Sequence, residues 1–190
     1  EGTRSLIAIT GAEYGNSIAK ARKAGIDLPL TETSGEYTRM IGEDVKMAGE
    51  AEMARGIRQP IQIYPMFENA IRYQRKESIE EHQLRISELW AGFSKVAASN
   101  PHAWIKDQVD AETIRTAAAS NRMISFPYPK LMNSNSAVDM SAALIMCSVE
   151  KARSLGVPES QWVYPLAGTD AHDHYMVSNR DNLHSSPAIR

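Results

Sequence analysis

Apolar and polar positions change rhythm several times along this chain of 190 residues. Leu6-Ile7-Ala8-Ile9 is a short continuous apolar run with β-branched members, the pattern of a buried strand. Gly11-Ala12-Glu13 is expected to turn from it into a helix over residues 17–23, which Gly25 stops. Residues 26–60 begin polar and turn-rich, with Pro29 and Gly35. A helical stretch through Met47, Met53 and Ala54 follows, closed by Gly56 and Pro60.

Residues 61–120 repeat at the helical period. Ser78-Ile79-Glu80-Glu81 is a capping box, in which the serine accepts from the backbone three residues on and Glu81 reaches back. Behind it Ile79, Ile86, Leu89, Trp90, Phe93 and Ala97 form an apolar stripe, and Asn100-Pro101 ends the run. Such a stripe predicts burial of Ile86, Leu89 and Phe93 on one side of the helix. A second helix is expected over residues 111–119. From residue 121 onward the texture changes again. Pro127 and Pro129 bracket Tyr128 in a loop, and Ala142-Ala143-Leu144-Ile145-Met146-Cys147 has the composition of a buried central strand. Ser148 caps a helix from Val149 to Leu155, ended by Gly156 and Pro158, and residues 162–167 predict a further strand. The order is strand, helix, helical excursion, strand, helix, strand. That order predicts the α/β class.

Composition narrows the function classes. Apolar residues make up 43% and charged residues 23%, ordinary usage for a globular chain. The net charge of −2 supplies no field to recruit nucleic acid or an anionic membrane. No apolar run reaches the length of a membrane-spanning helix. A single cysteine excludes an intrachain disulfide and points to a reducing, cytoplasmic setting. The chain opens on a core strand without methionine, and Ser185-Ser186-Pro187 reads as a helix start that stops as it begins. Both ends are therefore expected to be internal to a longer protein.

Several residues carry candidate chemistry. Cys147 closes an apolar strand, and a cysteine in that setting is expected to be structural. Asp170-Ala171-His172-Asp173-His174 offers metal-binding residue types but no further ligand set, and reads as a solvated loop. His102 and His184 lie in turns, and His82, in the first turns of its helix, is expected at the surface. Trp90, Phe93, Met40, Met47, Met53 and Met66 are adaptable enough to line an apolar tunnel, although core packing is the commoner use.

Six segments carry a family resemblance. Asn133-Ser134-Asn135-Ser136-Ala137-Val138-Asp139 followed by an apolar strand is similar to the segment that enters the second half of the thiolase fold. Ser148-Val149-Glu150-Lys151-Ala152 resembles the Ser-Glu-x-x-Ala helix after it, and Ile7-Ala8-Ile9-Thr10-Gly11-Ala12-Glu13 resembles the strand following the nucleophile helix. Tyr64 to Ala70, Pro127 to Asn133 and Leu183 to Arg190 are similar to sterol-carrier-protein-X-type thiolases and their bacterial thiolase-like relatives.

The resemblance implies part of a five-layer αβαβα fold with an inserted helical loop domain. Residues 1–25 would end the first half, 26–125 would form the loop domain, and 126–190 would open the second half. It implies an acyl-CoA acyltransferase that makes or breaks carbon–carbon bonds in CoA thioesters, with homo-oligomeric assembly. The nucleophilic cysteine would precede residue 1, the second cysteine and the Asn/His loop would follow residue 190, and the segment alone would be inactive. CoA enters as substrate; no cofactor or metal is implied. In the family a serine of the Asn/Ser turn neighbours the pantetheine arm. Here Asn135 stands at that position with Ser136 beside it, and Tyr128 and Lys130 are candidates for the same entrance, Lys130 facing phosphate. A catalytically silent acyl-CoA-binding protein or partner subunit is the alternative, and a lipid-carrier module ranks below both.

Overall fold

A computed structural model of the chain describes residues 4–30, 41–42, 45–135 and 137–189. Two compact units divide it: residues 1–39 with 135–169, and residues 40–134 with 170–190.

The first unit is built on two strands far apart in sequence. β1 (Leu6–Tyr14) runs antiparallel to β4 (Asp139–Cys147), with Leu6 opposite Cys147 and Tyr14 opposite Asp139. Gly11-Ala12-Glu13 continues this ribbon instead of turning. The small residues Gly11 and Ala12 face Ala142 and Ser141, which lets the two backbones stay in register. α1 (Gly15–Ala24) follows directly and ends as expected, Gly25 adopting the left-handed conformation at φ 67°. After β4, Ser148 Oγ accepts from Lys151 N at 3.2 Å and starts α6 (Val149–Ser154).

Two further expectations fail in this unit. Leu6, Ile7, Ile9, Leu144, Ile145 and Met146 are exposed, because a two-stranded ribbon has no third layer to cover its faces among the described residues. Residues 162–167 form no strand. Trp162 instead follows a 3₁₀ turn (Glu159–Gln161), its indole donates to Val157 O at 3.1 Å, and Arg153 lies over its ring.

The second unit is mainly helical, with α2 (Glu50–Ala54), α3 (Pro60–Arg75), α4 (Ile79–Ser99) and α5 (Ala111–Arg115). β2 (Met123–Ser125) and β3 (Tyr128–Pro129) form a short antiparallel pair. The Ser78 capping box forms at both of its bonds, Glu81 N to Ser78 Oγ at 3.1 Å and Ser78 N to Glu81 Oε2 at 2.8 Å. Ile86, Ile114 and Met132 make the core, packed on by Trp90, Val109, Tyr128 and Leu131.

The apolar stripe of α4 is buried only in part. Ile86 is 4% exposed, but Leu89 is 55% and Phe93 57% exposed. The covered face of α4 runs through His82, Ile86, Ser87 and Trp90. Phe93 packs edge-to-face with Trp90, at 5.9 Å between ring centroids, and leaves more than half of its surface open. α5 stops at Arg115, four residues short of expectation, because the Asn121 side chain takes the carbonyls that a longer helix would use. No helix among the described residues is long and apolar enough to cross a membrane.

Candidate functional site

Tyr128 lies on β3, not in the loop expected from its flanking prolines, and Lys130 opens the 3₁₀ turn that follows; side-chain bonds hold this stretch at Pro127, Pro129 and Leu131. Gln83 Nε2 of α4 donates to Pro127 O at 2.7 Å, and Asn133 Nδ2 donates to Pro129 O at 2.8 Å. Asn121 Oδ1 accepts from Leu131 N at 2.9 Å. Tyr128, half-buried, donates its hydroxyl to Glu68 Oε2 of α3 at 2.6 Å. Burial, and then this bond, pushes the Tyr128 phenol well above its ordinary range, so it acts as a neutral donor. Lys130 is exposed.

Glu68 belongs to a cluster of charged groups centred on His82. That histidine is 1% exposed, not at the surface as its place in the helix start led us to expect. α3 and the turn after it close over the helix start from the side. Nδ1 lies 2.9 Å from Glu77 Oε2 and Nε2 lies 3.1 Å from Glu68 Oε1. Arg85 binds Glu77 with both Nε (2.7 Å) and Nη2 (3.1 Å), and Arg75 Nε adds a contact at 2.7 Å. The guanidinium of Arg85, then that of Arg75, holds the Glu77 carboxyl far below the usual carboxylate range. None of Glu68, Glu77 and Arg85 stands out in the sequence, where they read as ordinary charges on helix surfaces.

In the other unit, Asn135 is exposed and its Oδ1 accepts from Ala137 N at 3.0 Å, an Asx turn leading into β4. Ser136 lies outside the described residues. Asp139 then binds the first turn of α1, accepting from Ser17 N (2.9 Å), Asn16 Nδ2 (2.8 Å) and Ser17 Oγ (3.0 Å). The Ser17 amide, followed by Asn16, holds this carboxyl below its ordinary value. The polar turn is therefore fixed at its far end by a side chain anchored on a helix N-terminus.

A cleft of about 640 Å³ opens in the helical unit, lined by His172, Asp173, Tyr175, Asn179, Asn182 and Ser185 among others. Its wall is held by Glu52 of α2, which accepts from Gly49 N at 2.7 Å and from Ser178 N at 2.8 Å. The Ser178 amide, then that of Gly49, keeps the Glu52 carboxyl below its ordinary range. Met176 approaches Gly49 so closely that a Cβ there would lie 3.1 Å from its sulfur. Asp173 accepts from His174 N at 2.7 Å and faces Arg180 at 3.5 Å, while the Arg180 guanidinium sits 5.0 Å over the Phe67 ring. The sequence reading of residues 170–174 as a solvated loop fits the exposed His172 and His174, but gave no sign of the cleft.

Among the described residues, no three His, Cys, Asp or Glu side chains are arranged to hold a metal ion. Cys147 is a free, half-buried thiol at the end of β4, and no described side chain hydrogen-bonds it. His102 and His184 sit in turns formed by Asn100 and Asn182. Met47 and Met53 are exposed, Met66 is half-buried, and Met40 lies outside the described residues. The geometry offers polar recognition and ion pairing; among the described residues it holds no activated nucleophile.

No family model matches the sequence, and no curated protein does. Among solved structures, the chain is similar to a monomeric SCP2-thiolase-like protein type 1 from Mycobacterium smegmatis, with a TM-score of 0.72 and 33% sequence identity. The match covers 98% of this chain and 33% of that one, so the chain spans about a third of that protein's length. The chain thus has a mixed helix-and-strand, thiolase-like fold.

Proposed function

We propose that this chain is a segment of an acyl-CoA acyltransferase of the thiolase type, acting on carbon–carbon bonds of CoA thioesters. The observation that supports it is the thiolase-like likeness, which extends over 98% of the chain at 33% identity. In this reading the sheet-bearing unit belongs to the five-layer αβαβα core and the helical unit to its inserted loop domain. The catalytic cysteines belong to other parts of the protein. Homo-oligomeric assembly is the family expectation, whereas the solved relative is described as monomeric. A catalytically silent acyl-CoA-binding protein or partner subunit is the second reading.

Asn135, Ser136 and Tyr128 border the channel for the pantetheine arm in this proposal, with Lys130 toward the phosphates. Calorimetric titration of the intact protein with a CoA ester tests it. Losing one neutral hydrogen bond costs ~0.5–1.5 kcal/mol, so Asn135→Ala should weaken binding several-fold without abolishing it. Unchanged affinity in both Asn135→Ala and Ser136→Ala would reduce the turn to a structural lead-in to β4.

Cys147 should form no acyl adduct when the 190-residue chain is incubated with an acyl-CoA and weighed by intact-mass spectrometry. A thiol without a base to activate it is a weak nucleophile toward a thioester. Thiolysis by the isolated chain that vanishes in Cys147→Ser would overturn both the structural role of Cys147 and the location of the nucleophile elsewhere.

A further inference from the structure

The cleft of the helical unit has a wall that uses up most of its own acceptors. Asn182 Oδ1 accepts from His184 N at 3.1 Å, Ser185 N at 2.8 Å and Ser185 Oγ at 3.2 Å. These bonds fix the amide plane, so Asn182 meets a ligand with its N–H groups. Asp173 accepts from His174 N at 2.7 Å and from the Ser186 side chain, and it faces Arg180 Nη1 at 3.5 Å. The His174 carbonyl in turn accepts from Arg180 Nε at 3.0 Å. The polar groups left to a ligand are mainly donors. Asn179 Nδ2 reaches only a weak acceptor, the Met176 sulfur at 3.8 Å, and Lys46 adds an ammonium to the same lining. Asp181 is the exception, and it is exposed to water.

A second feature of the cleft is flat. The rings of His172 and Tyr175 lie 5.6 Å apart between centroids at an interplanar angle of 21°, an offset stack. Tyr175 is 41% exposed, so the pair keeps aromatic surface open to a further planar ring. The wall is also set in place before any ligand arrives, because Glu52 of α2 ties Ser178 N to Gly49 N. The volume of about 640 Å³ lies within the range of small-molecule sites, roughly 300–1,000 Å³.

We propose that this cleft binds a small aromatic carboxylic acid, its ring against the His172–Tyr175 stack and its carboxylate on the donors of Asn182 and Lys46. A carboxylate brings acceptors alone, which suits a lining whose open groups are donors. An inorganic oxyanion would use those donors and leave the stack idle, and an alkyl chain would use neither. The proposal rests on the cleft and not on the acyl-CoA reading of the chain.

The test is ¹⁵N NMR of the full chain at about pH 7.5, titrated with benzoate to about 20 mM, since so small a ligand binds in the millimolar range. Amides of residues 172–187 and the side-chain amide of Asn182 should shift and saturate. Cyclohexanecarboxylate, with the same charge and no planar ring, should bind about three- to tenfold more weakly. Benzyl alcohol, with the ring and no carboxylate, should bind about tenfold more weakly or worse. Asn182→Asp keeps the acceptor that holds the turn and replaces the donor with a negative oxygen, so benzoate affinity should drop at least about tenfold. Tyr175→Leu alters an exposed ring, and its loss of about three- to tenfold decides the matter if Asn182→Asp does not fold. Shifts that never saturate overturn the proposal, as does benzoate affinity that stays unchanged in Tyr175→Leu. Inorganic phosphate displacing benzoate at equal concentration would also overturn it, by making the cleft a general anion site.

Discussion

Ile86→Ala should lower the stability of the helical unit by ~2–5 kcal/mol, while Phe93→Ala, seven residues along the same helix, costs less than ~1 kcal/mol. Both residues belong to one apolar stripe, so the sequence alone assigns them similar weight. The structure separates them. Ile86 shares the core with Ile114 and Met132, against which Trp90 and Leu131 pack, and truncation leaves a cavity that its neighbours fill only in part. Phe93 is 57% exposed and contributes chiefly an edge contact to Trp90. Urea unfolding monitored by tryptophan fluorescence gives both values from shifts in midpoint at constant slope. Equal losses in the two variants would mean that another surface covers Phe93, and a small loss at Ile86 would remove it from the core.

The elements that the sequence made legible are those decided locally. Ser78 and Glu81 form their capping box, Ser148 caps its helix, and Gly25 and Gly156 take positive φ at 67° and 69°, because each depends on residues three or four positions away. What distant residues decide was hidden. The β1–β4 register joins residues more than a hundred positions apart, and no local pattern tells Leu6 that Cys147 lies opposite. Burial of the two strands was the natural inference from their apolar runs. It failed because an apolar run records a tendency and burial requires a second layer. His82 failed in the opposite sense. A histidine in a first helical turn reads as solvated, and only the return of α3 past it, bringing Glu68, removes it from water. Among the candidate entrance residues, the Asx turn at Asn135 was readable from its neighbours, whereas the Tyr128–Glu68 bond crosses 60 residues.

Asn121 was silent in the sequence, yet its removal should be among the most damaging single changes in the helical unit. It is 3% exposed. Its Nδ2 lies 3.0 Å from the carbonyls of Thr113, Ile114 and Thr116, and its Oδ1 accepts from Leu131 N at 2.9 Å. Two N–H groups serve three acceptors, so at least one bond is shared. The side chain thereby ends α5 and fixes the chain that leads from β3 through Leu131. Asn121→Ala removes the partner of all these backbone groups, of which the Ile114 carbonyl bond is buried and the others part-buried, and the summed cost should be ~2–4 kcal/mol. Asn121→Asp is nearly isosteric and more informative. An ionised carboxylate sets negative oxygens against three carbonyls, so folding disfavours the charged form and raises the carboxyl pKa above its unfolded value. The folded state then binds more protons than the unfolded state, and stability must rise as pH falls. Denaturation of Asn121→Asp at pH 7 and again near pH 4 should show its deficit relative to wild type shrinking, since the protonated acid regains one donor. The deficit of Asn121→Ala should not change, because alanine has nothing to protonate. A deficit in Asn121→Asp that stays constant or widens at the lower pH would mean that the three carbonyls are not held by this side chain.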